Sequence, residues 1–230
     1  DWTMTYKTDS DFVEPFSAGL LPLSQAERVE RAKPLNYSAG RDKILLWFVS
    51  NCGPARMKFA RALRKALPPK SFVIYGGCGT KSPCQGRKSM DECHQKLFSR
   101  FKFYAAFENN RCDGYLTEKV WRGFAGNMVP LVLGGLTRQD YAAHGVPPNA
   151  FVSTDDFSSM SELVSYLTRI DAATYNELHR WRTTHKFSSK VGRLAAWCSL
   201  CQELHKPVEE QKKPRFLDQG LEQWWYSGCR

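Results

Sequence analysis

Apolar residues along this chain follow two alternating rhythms. Continuous short runs occupy 42–50 (DKILLWFVS), 71–77 (SFVIYGG), Phe101–Phe107 (FKFYAAF) and Val129–Leu133 (VPLVL). Runs this short, bounded by turn residues, predict strands covered on both faces. A further short strand is predicted over 149–154. Between the runs the spacing becomes helical. Arg56, Phe59, Ala60 and Leu63 recur at helical intervals behind Pro54, a residue suited to the first turn of a helix. Residues 91–100 predict a helix that leads into the run at Phe101. Thr117 can cap a helix carrying Glu118, Lys119, Val120, Trp121 and Phe124, which Gly126 and Asn127 end. Helices are also predicted over 138–143, 175–181 and 191–204, and over 158–170, where Met160, Leu163, Val164 and Leu167 share a face. Strands alternating with helices imply an α/β fold: a Rossmann-like parallel sheet, right-handed in its crossovers and flanked by helices. Residues 1–40 are polar and turn-rich with little periodicity, and 79–89 read as a loop.

Within that pattern, residues 101–135 form a strand, a polar loop, a helix and a second strand. Ligands of such units sit outside the carboxyl ends of the strands, where a helix N-terminus offers N–H groups to an anion. Lys119 lies in the first helical turn, where the helix dipole disfavours a cation, so it calls for a negative partner. A diphosphate fits that requirement; the alternative is an acid and a base on a solvated surface. A second strand, turn and helix place Arg56 in a first turn, after Ser50 and Asn51. Arginine holds phosphate oxygens through two parallel hydrogen bonds. The strand at 71–77 ends in glycines that let a ligand approach closely. No GxGxxG occurs, which argues against a nicotinamide or flavin dinucleotide.

Composition narrows the classes. Hydrophobic residues at 42% and aromatics at 13% support a real core in 230 residues. Lysine and arginine outnumber aspartate and glutamate by 33 to 23, a net charge of +10. That charge suits a nucleotide diphosphate, an acidic membrane surface or nucleic acid. Basic and aromatic residues are spread along the chain with no nucleic-acid motif, so no nucleic-acid partner is expected. No stretch of about 18 apolar residues occurs that would cross a bilayer. The chain opens on Asp1-Trp2-Thr3 without a leader, and a further N-terminal part of a longer protein is expected.

Eight cysteines, an even number, permit full pairing in an oxidising compartment. Asn36-Tyr37-Ser38 is an N-glycosylation sequon and Asn110-Arg111-Cys112 a weaker one. Both features favour the secretory pathway. Cys198-Ser199-Leu200-Cys201 has no second CxxC to complete a zinc site, and lies late on a helix rather than at a strand end as in thioredoxin-type motifs. Asp9 and Asp11 have no histidines or further carboxylates at ligand spacing, so no metal site is expected. The 214–230 tail carries Trp224-Trp225-Tyr226 and Cys229 and is expected to pack back on a surface.

The central string reads FYAAFEN, then DGYLTEKVW, then VPLVLGG. It resembles the signature of the α1,3/α1,4-fucosyltransferases: FY-x-x-FEN, a spacer, DY-x-TEK-x-W and VP-x-V-x-G. Gly114 is inserted here between the expected Asp113 and Tyr115. Residues 5–11 (TYKTDSD) resemble the family's TYR-x-DSD segment, with Lys7 in place of arginine. Ser50, Asn51 and Arg56 match its SN and arginine segment across a shorter spacer. The resemblance implies the donor-binding half of a GT-B glycosyltransferase: an interdomain segment over 1–40, a GDP-fucose-binding domain over 41–206 and a tail over 207–230 packed on an N-terminal acceptor domain that this chain lacks. It implies donor binding by Ser50, Asn51, Arg56, Glu108, Asn109, Tyr115, Glu118 and Lys119, with Glu118 on the ribose.

It further implies single-displacement, inverting transfer of fucose from GDP-fucose to a GlcNAc hydroxyl in α1,3 linkage, with no tightly bound cofactor and no required divalent metal. The family's general base is a glutamate of the acceptor domain, so no catalytic residue is assigned in this chain. Cys198 and Cys201 are implied to pair with cysteines of that domain; local pairing is the alternative. LCQELHKP and the tryptophan-rich tail are similar to the animal enzymes acting on the N-glycan core. Lewis-type and protein O-fucosyl transfer are the alternatives within the family, and a catalytically incomplete nucleotide-sugar-binding module is the alternative outside enzymes. The implied location is the Golgi lumen, with a type II membrane anchor upstream, and Asn36 as a glycosylated residue.

Overall fold

The computed structural model describes every residue except 1, 17, 32–34, 89, 190–194, 215–219 and 230. The chain opens with strands β1 (Met4–Thr5), β2 (Phe12–Val13) and β3 (Gly19–Pro22) and helix α1 (Gln25–Glu30). The central alternation then begins with β4 (Lys43–Phe48), α2 (Pro54–Ala66), β5 (Phe72–Tyr75), α3 (Glu92–Phe98) and β6 (Phe101–Phe107). It continues with α4 (Glu118–Ala125), β7 (Val129–Leu133), α5 (Arg138–Ala143) and β8 (Val152–Ser153). Helices α6 (Met160–Arg169) and α7 (Ala172–Glu177), strand β9 (His185–Ser188), and helices α8 (Ala195–Leu204) and α9 (Leu221–Tyr226) complete the described elements.

Strands β4 to β8 form one parallel sheet in the order β5-β4-β6-β7-β8. Side chains of a strand alternate between faces, so the continuous apolar runs must be covered on both. Leu45, Trp47, Phe103, Ala105, Phe107, Leu131 and Leu133 share one core with Met57, Ala60 and Leu63 of α2 and Leu163 and Leu167 of α6. Leu46, Tyr104, Ala106 and Val132 turn the other way, into a second core with Val120, Trp121 and Phe124 of α4. Burying each large side chain stabilises by roughly 1.5–3 kcal/mol, so covering both faces of these strands is strongly favoured.

The chain runs from β4 outward to β5, then crosses to the other side of β4 to form β6. The connections therefore leave the neighbours β4 and β6 in opposite directions. A crevice opens at their carboxyl ends, the usual ligand position of such sheets.

Several elements depart from the expected bounds. The helix expected over 91–100 is capped by Asp91, whose carboxylate accepts the His94 N–H at 3.0 Å, and spans Glu92–Phe98. The strand expected over 149–154 shrinks to Val152–Ser153, because the Asp156 carboxylate folds back on the Ser153 N–H at 3.1 Å. The helix expected over 175–181 starts earlier, after Asp171 caps it through the Thr174 N–H at 2.8 Å. It breaks before a 3₁₀ turn at Arg180–Thr183. Part of the helix expected over 191–204 and residue 89 of the 79–89 loop lie outside the described residues. Strands β3 and β9 pair antiparallel, a contact the sequence did not announce.

Six cysteines pair within the chain: Cys52–Cys78, Cys84–Cys93 and Cys112–Cys229. Cys198 and Cys201 carry exposed free thiols and do not pair with each other. The tail's described contacts are with this chain's own residues. Lys7 Nζ donates to the Trp224 carbonyl at 2.5 Å and the Ser227 carbonyl at 3.0 Å, and Trp224 Nε1 donates to Asp9 at 2.8 Å. Asp11 accepts the N–H and hydroxyl of Thr3 at 2.8 and 2.9 Å. Among the described residues, no helix is long and apolar enough to cross a membrane.

Candidate functional site

A cavity of about 340 Å³ occupies the crevice between β4 and β6. Ser50 and Asn51 reach it from the end of β4, Gly76 from the end of β5, Asn109 from the end of β6, and Glu118, Lys119 and Arg122 from α4. Arg56, in the first turn of α2, completes the wall. Six of the eight residues expected to bind the donor thus surround one space. Gly76 is required there by geometry: its φ is +104°, and a Cβ would meet the Val49 carbonyl oxygen at 2.4 Å.

Arg56 is 6% exposed. Its Nη1 donates to the Phe107 carbonyl at 3.0 Å and its Nη2 to the Asn51 carbonyl. The guanidinium lies 5.6 Å from the centre of the Trp47 ring. Two strand-end carbonyls and an aromatic face therefore hold it at the topological switch. Its Nε is buried with no hydrogen-bond partner among the described residues. Burial pulls its pKa below the ordinary arginine value, against the opposing pull of Glu108, Tyr115 and Glu118.

Lys119 sits at the start of α4, and its expected negative partner is present in the chain itself. Its ammonium donates to Glu108 Oε2 at 2.7 Å and to the Thr117 hydroxyl at 2.6 Å, and lies 3.7 Å from Glu118 Oε1. The open helix end is also partly closed. Thr117 is the N-cap by backbone position, but its side chain makes no capping bond, and Glu108 Oε1 accepts its N–H at 2.9 Å.

Two expected residues stand off the cavity wall. Glu108 lies behind Lys119, its side chain 6% exposed. Tyr115 turns into an aromatic cluster, edge-on to Tyr6 at 5.1 Å and Phe16 at 5.7 Å, with Trp225 of the tail against Tyr6. Burial raises the Tyr115 hydroxyl pKa, and the Glu108 and Glu118 carboxylates raise it further.

Arg122 is the wall residue that sequence reasoning missed. Its Nη1 lies 3.5 Å from the Tyr104 hydroxyl. The signal was available, since Arg122 follows Glu118 by four positions and so shares its helix face. A larger groove, about 890 Å³, lies elsewhere, at the β8 edge, lined by Pro147, Phe151, Phe157, Leu178 and Trp181 among others. It holds none of the eight residues expected to bind the donor. Asn36 is exposed in a turn, its side-chain oxygen accepting from the Ser38 N–H at 3.1 Å and the Ser38 hydroxyl at 2.7 Å. In the weaker sequon, Cys112 is committed to its disulfide.

Fold and site together define a parallel α/β domain with an arginine- and lysine-lined cavity at its switch point, the place such folds reserve for phosphorylated ligands. Residues 38–224 match the profile of glycosyltransferase family 10 (fucosyltransferase), C-terminal part, and the chain belongs to that family. It is 34% identical over 229 residues to glycoprotein 3-alpha-L-fucosyltransferase A of Drosophila melanogaster, covering 98% of this chain and 43% of the relative. It is 35% identical over 228 residues to human 4-galactosyl-N-acetylglucosaminide 3-alpha-L-fucosyltransferase FUT6, covering 97% of this chain and 57% of the relative. The chain thus spans about half the length of these relatives. A crystal structure of an alpha1,3-fucosyltransferase with GDP-fucose shares the fold at a TM-score of 0.54 and 18% identity, over 80% of this chain and 53% of that one.

Proposed function

We propose that this chain is the donor-binding half of an inverting α1,3-fucosyltransferase, with residues 41–206 as the GDP-fucose-binding domain. The observation that carries the reading is that Arg56 and Lys119, from different helices, line one cavity at the switch point. The family membership supports the same donor. In the transfer, an acceptor hydroxyl attacks the anomeric carbon of fucose from the face opposite the nucleotide. The bond from that carbon to the β-phosphate oxygen breaks, and GDP leaves with the electron pair. Charge grows on the pyrophosphate as that bond opens, so fixed cations beside it lower the barrier. Arg56 and Lys119 supply that charge, with Arg122 as a third cation on the wall. Glu118 accepts the ribose hydroxyls, while Ser50, Asn51 and Asn109 orient the nucleotide and sugar. Cations held in this way remove the need for a divalent metal.

The attacking hydroxyl must lose a proton to a general base. We place that base outside residues 1–230, in an N-terminal acceptor domain linked to Cys198 and Cys201 and covering part of the tail. The acceptor is a GlcNAc hydroxyl of the N-glycan core. Three disulfides within the chain support an oxidising compartment, and we assign the whole protein to the Golgi lumen, anchored through a segment upstream, with Asn36 glycosylated. The test combines binding with turnover. Residues 1–230 are expected to bind GDP-fucose yet transfer no fucose to a core N-glycan, and to gain transfer once joined to an upstream acceptor domain. Transfer by residues 1–230 alone, or failure to bind GDP-fucose, contradicts the proposal.

A further inference from the structure

Glu108 closes β6 and opens the loop into α4, but its carboxylate does not reach the cavity wall. It faces a closed triangle instead. The Thr117 N–H donates to Oε1 at 2.9 Å, the Thr117 hydroxyl lies 2.8 Å from each carboxylate oxygen, and Lys119 Nζ donates to Oε2 at 2.7 Å. The Thr117 hydroxyl, giving its one proton to Glu108, accepts from the Lys119 ammonium at 2.6 Å. Every member of the triangle is largely buried: Thr117 is 2% exposed, and the Lys119 and Glu108 side chains are 12% and 6% exposed.

A lysine on a free four-carbon stem samples many rotamers, and fixing it costs entropy whenever a ligand is bound. Here that ordering is done before the ligand arrives. Two of the ammonium's three N–H groups are committed to Glu108 and Thr117, which leaves the third for the cavity that Lys119 lines, where Glu118 Oε1 also stands 3.7 Å from the nitrogen. The same carboxylate, by holding the Thr117 N–H, fixes the start of α4. Unlike Glu118, which lines the cavity, the Glu108 carboxylate stands behind Lys119 and does not line it.

We infer that Glu108 is a positioning residue: it acts on the diphosphate through Lys119, which it holds directly and by way of the Thr117 hydroxyl, and does not touch the donor. The inference rests on the proposed donor site and gives Glu108 a different role from the neighbouring wall residues. It requires that Glu108 and Lys119 be coupled, and that Glu108 make no distinction between GDP and GDP-fucose.

The experiment is a double-mutant cycle on this chain, with affinities for GDP and GDP-fucose measured by calorimetry and folding checked by thermal unfolding. Glu108→Ala is expected to weaken both ligands by the same factor, about tenfold or more. In the Lys119→Ala background the same change is expected to alter GDP affinity by less than about twofold. Glu108→Gln keeps an acceptor oxygen beside Lys119 and is expected to hold affinity within about threefold. Should Glu108→Ala not fold, Glu108→Asp serves in its place. Its shorter reach is expected to weaken GDP at least about threefold, again with no effect once Lys119 is gone. Undiminished loss in the Lys119→Ala background, or a loss confined to GDP-fucose, overturns the inference and leaves the donor site standing. Unchanged GDP affinity in Lys119→Ala alone overturns the donor site, and the inference with it.

Discussion

Arg56 and Lys119 reach the same cavity under different constraints. Arg56 is fixed by backbone carbonyls and an aromatic face, and Lys119 by a carboxylate and a hydroxyl. Their presence was legible because each is a cation in a first helical turn, where the helix dipole alone gives no reason for one. The bond from Lys119 to Glu108 was not legible. The two stand eleven positions apart in sequence, and the turn geometry that joins them leaves no periodic trace. His179 illustrates a residue with consequences outside the site. It is 2% exposed, stacked on Tyr37 at 4.4 Å, and accepts from Arg182 Nε at 3.3 Å. Burial, with the Arg182 and Arg41 charges, pushes its pKa down to about 2. Unfolded, it takes a proton near the ordinary histidine value of about 6.5. Below that pH the unfolded state binds the extra proton, so stability is full above it and falls as pH drops, by up to about 1.4 kcal/mol per pH unit from this group. Replacing His179 by Gln removes the titration. Denaturant unfolding between about pH 6 and about pH 4 is expected to show a shallower decline in that variant; parallel declines contradict the assignment.

Among the elements, β6 and β7 coincide with their apolar runs because sheet cores cover both faces of those strands. The β3–β9 pair escaped notice for the opposite reason. Gly19–Pro22 and His185–Ser188 show no alternation, and their partners lie far apart in sequence. The even cysteine count indicated pairing but not connectivity. Cys52–Cys78 joins the turn after β4 to the turn after β5, one end next to Asn51 and the other two residues past Gly76. Closing a loop of 26 residues stabilises by roughly 3–4 kcal/mol in the chain-entropy account. Replacing both cysteines by serine is expected to lower unfolding stability by about 3 kcal/mol and to weaken GDP binding by loosening that side of the cavity. An unchanged denaturation midpoint contradicts this. Cys112–Cys229 ties the tail to the loop that carries Tyr115, so the chain's end is built into the surroundings of the site.

For the whole molecule, the sheet order is what brings the turns after β4, β5 and β6 to one place. The family profile spans residues 38–224, a range that includes both the central string and the residues lining the cavity. What the chain does with an acceptor depends on the remaining half of a longer protein in the proposed account, whereas donor binding depends on this half alone. The central claim is that Arg56 and Lys119 bind one pyrophosphate together. Calorimetric titration of the unsubstituted chain, Arg56→Ala and Lys119→Ala with GDP, and with guanosine as a control lacking phosphate, tests it most directly. Each substitution is expected to weaken GDP at least about tenfold, the loss of a charge-assisted contact, and to leave guanosine affinity unchanged. GDP affinity that survives either substitution, or guanosine affinity that falls alongside it, contradicts the account.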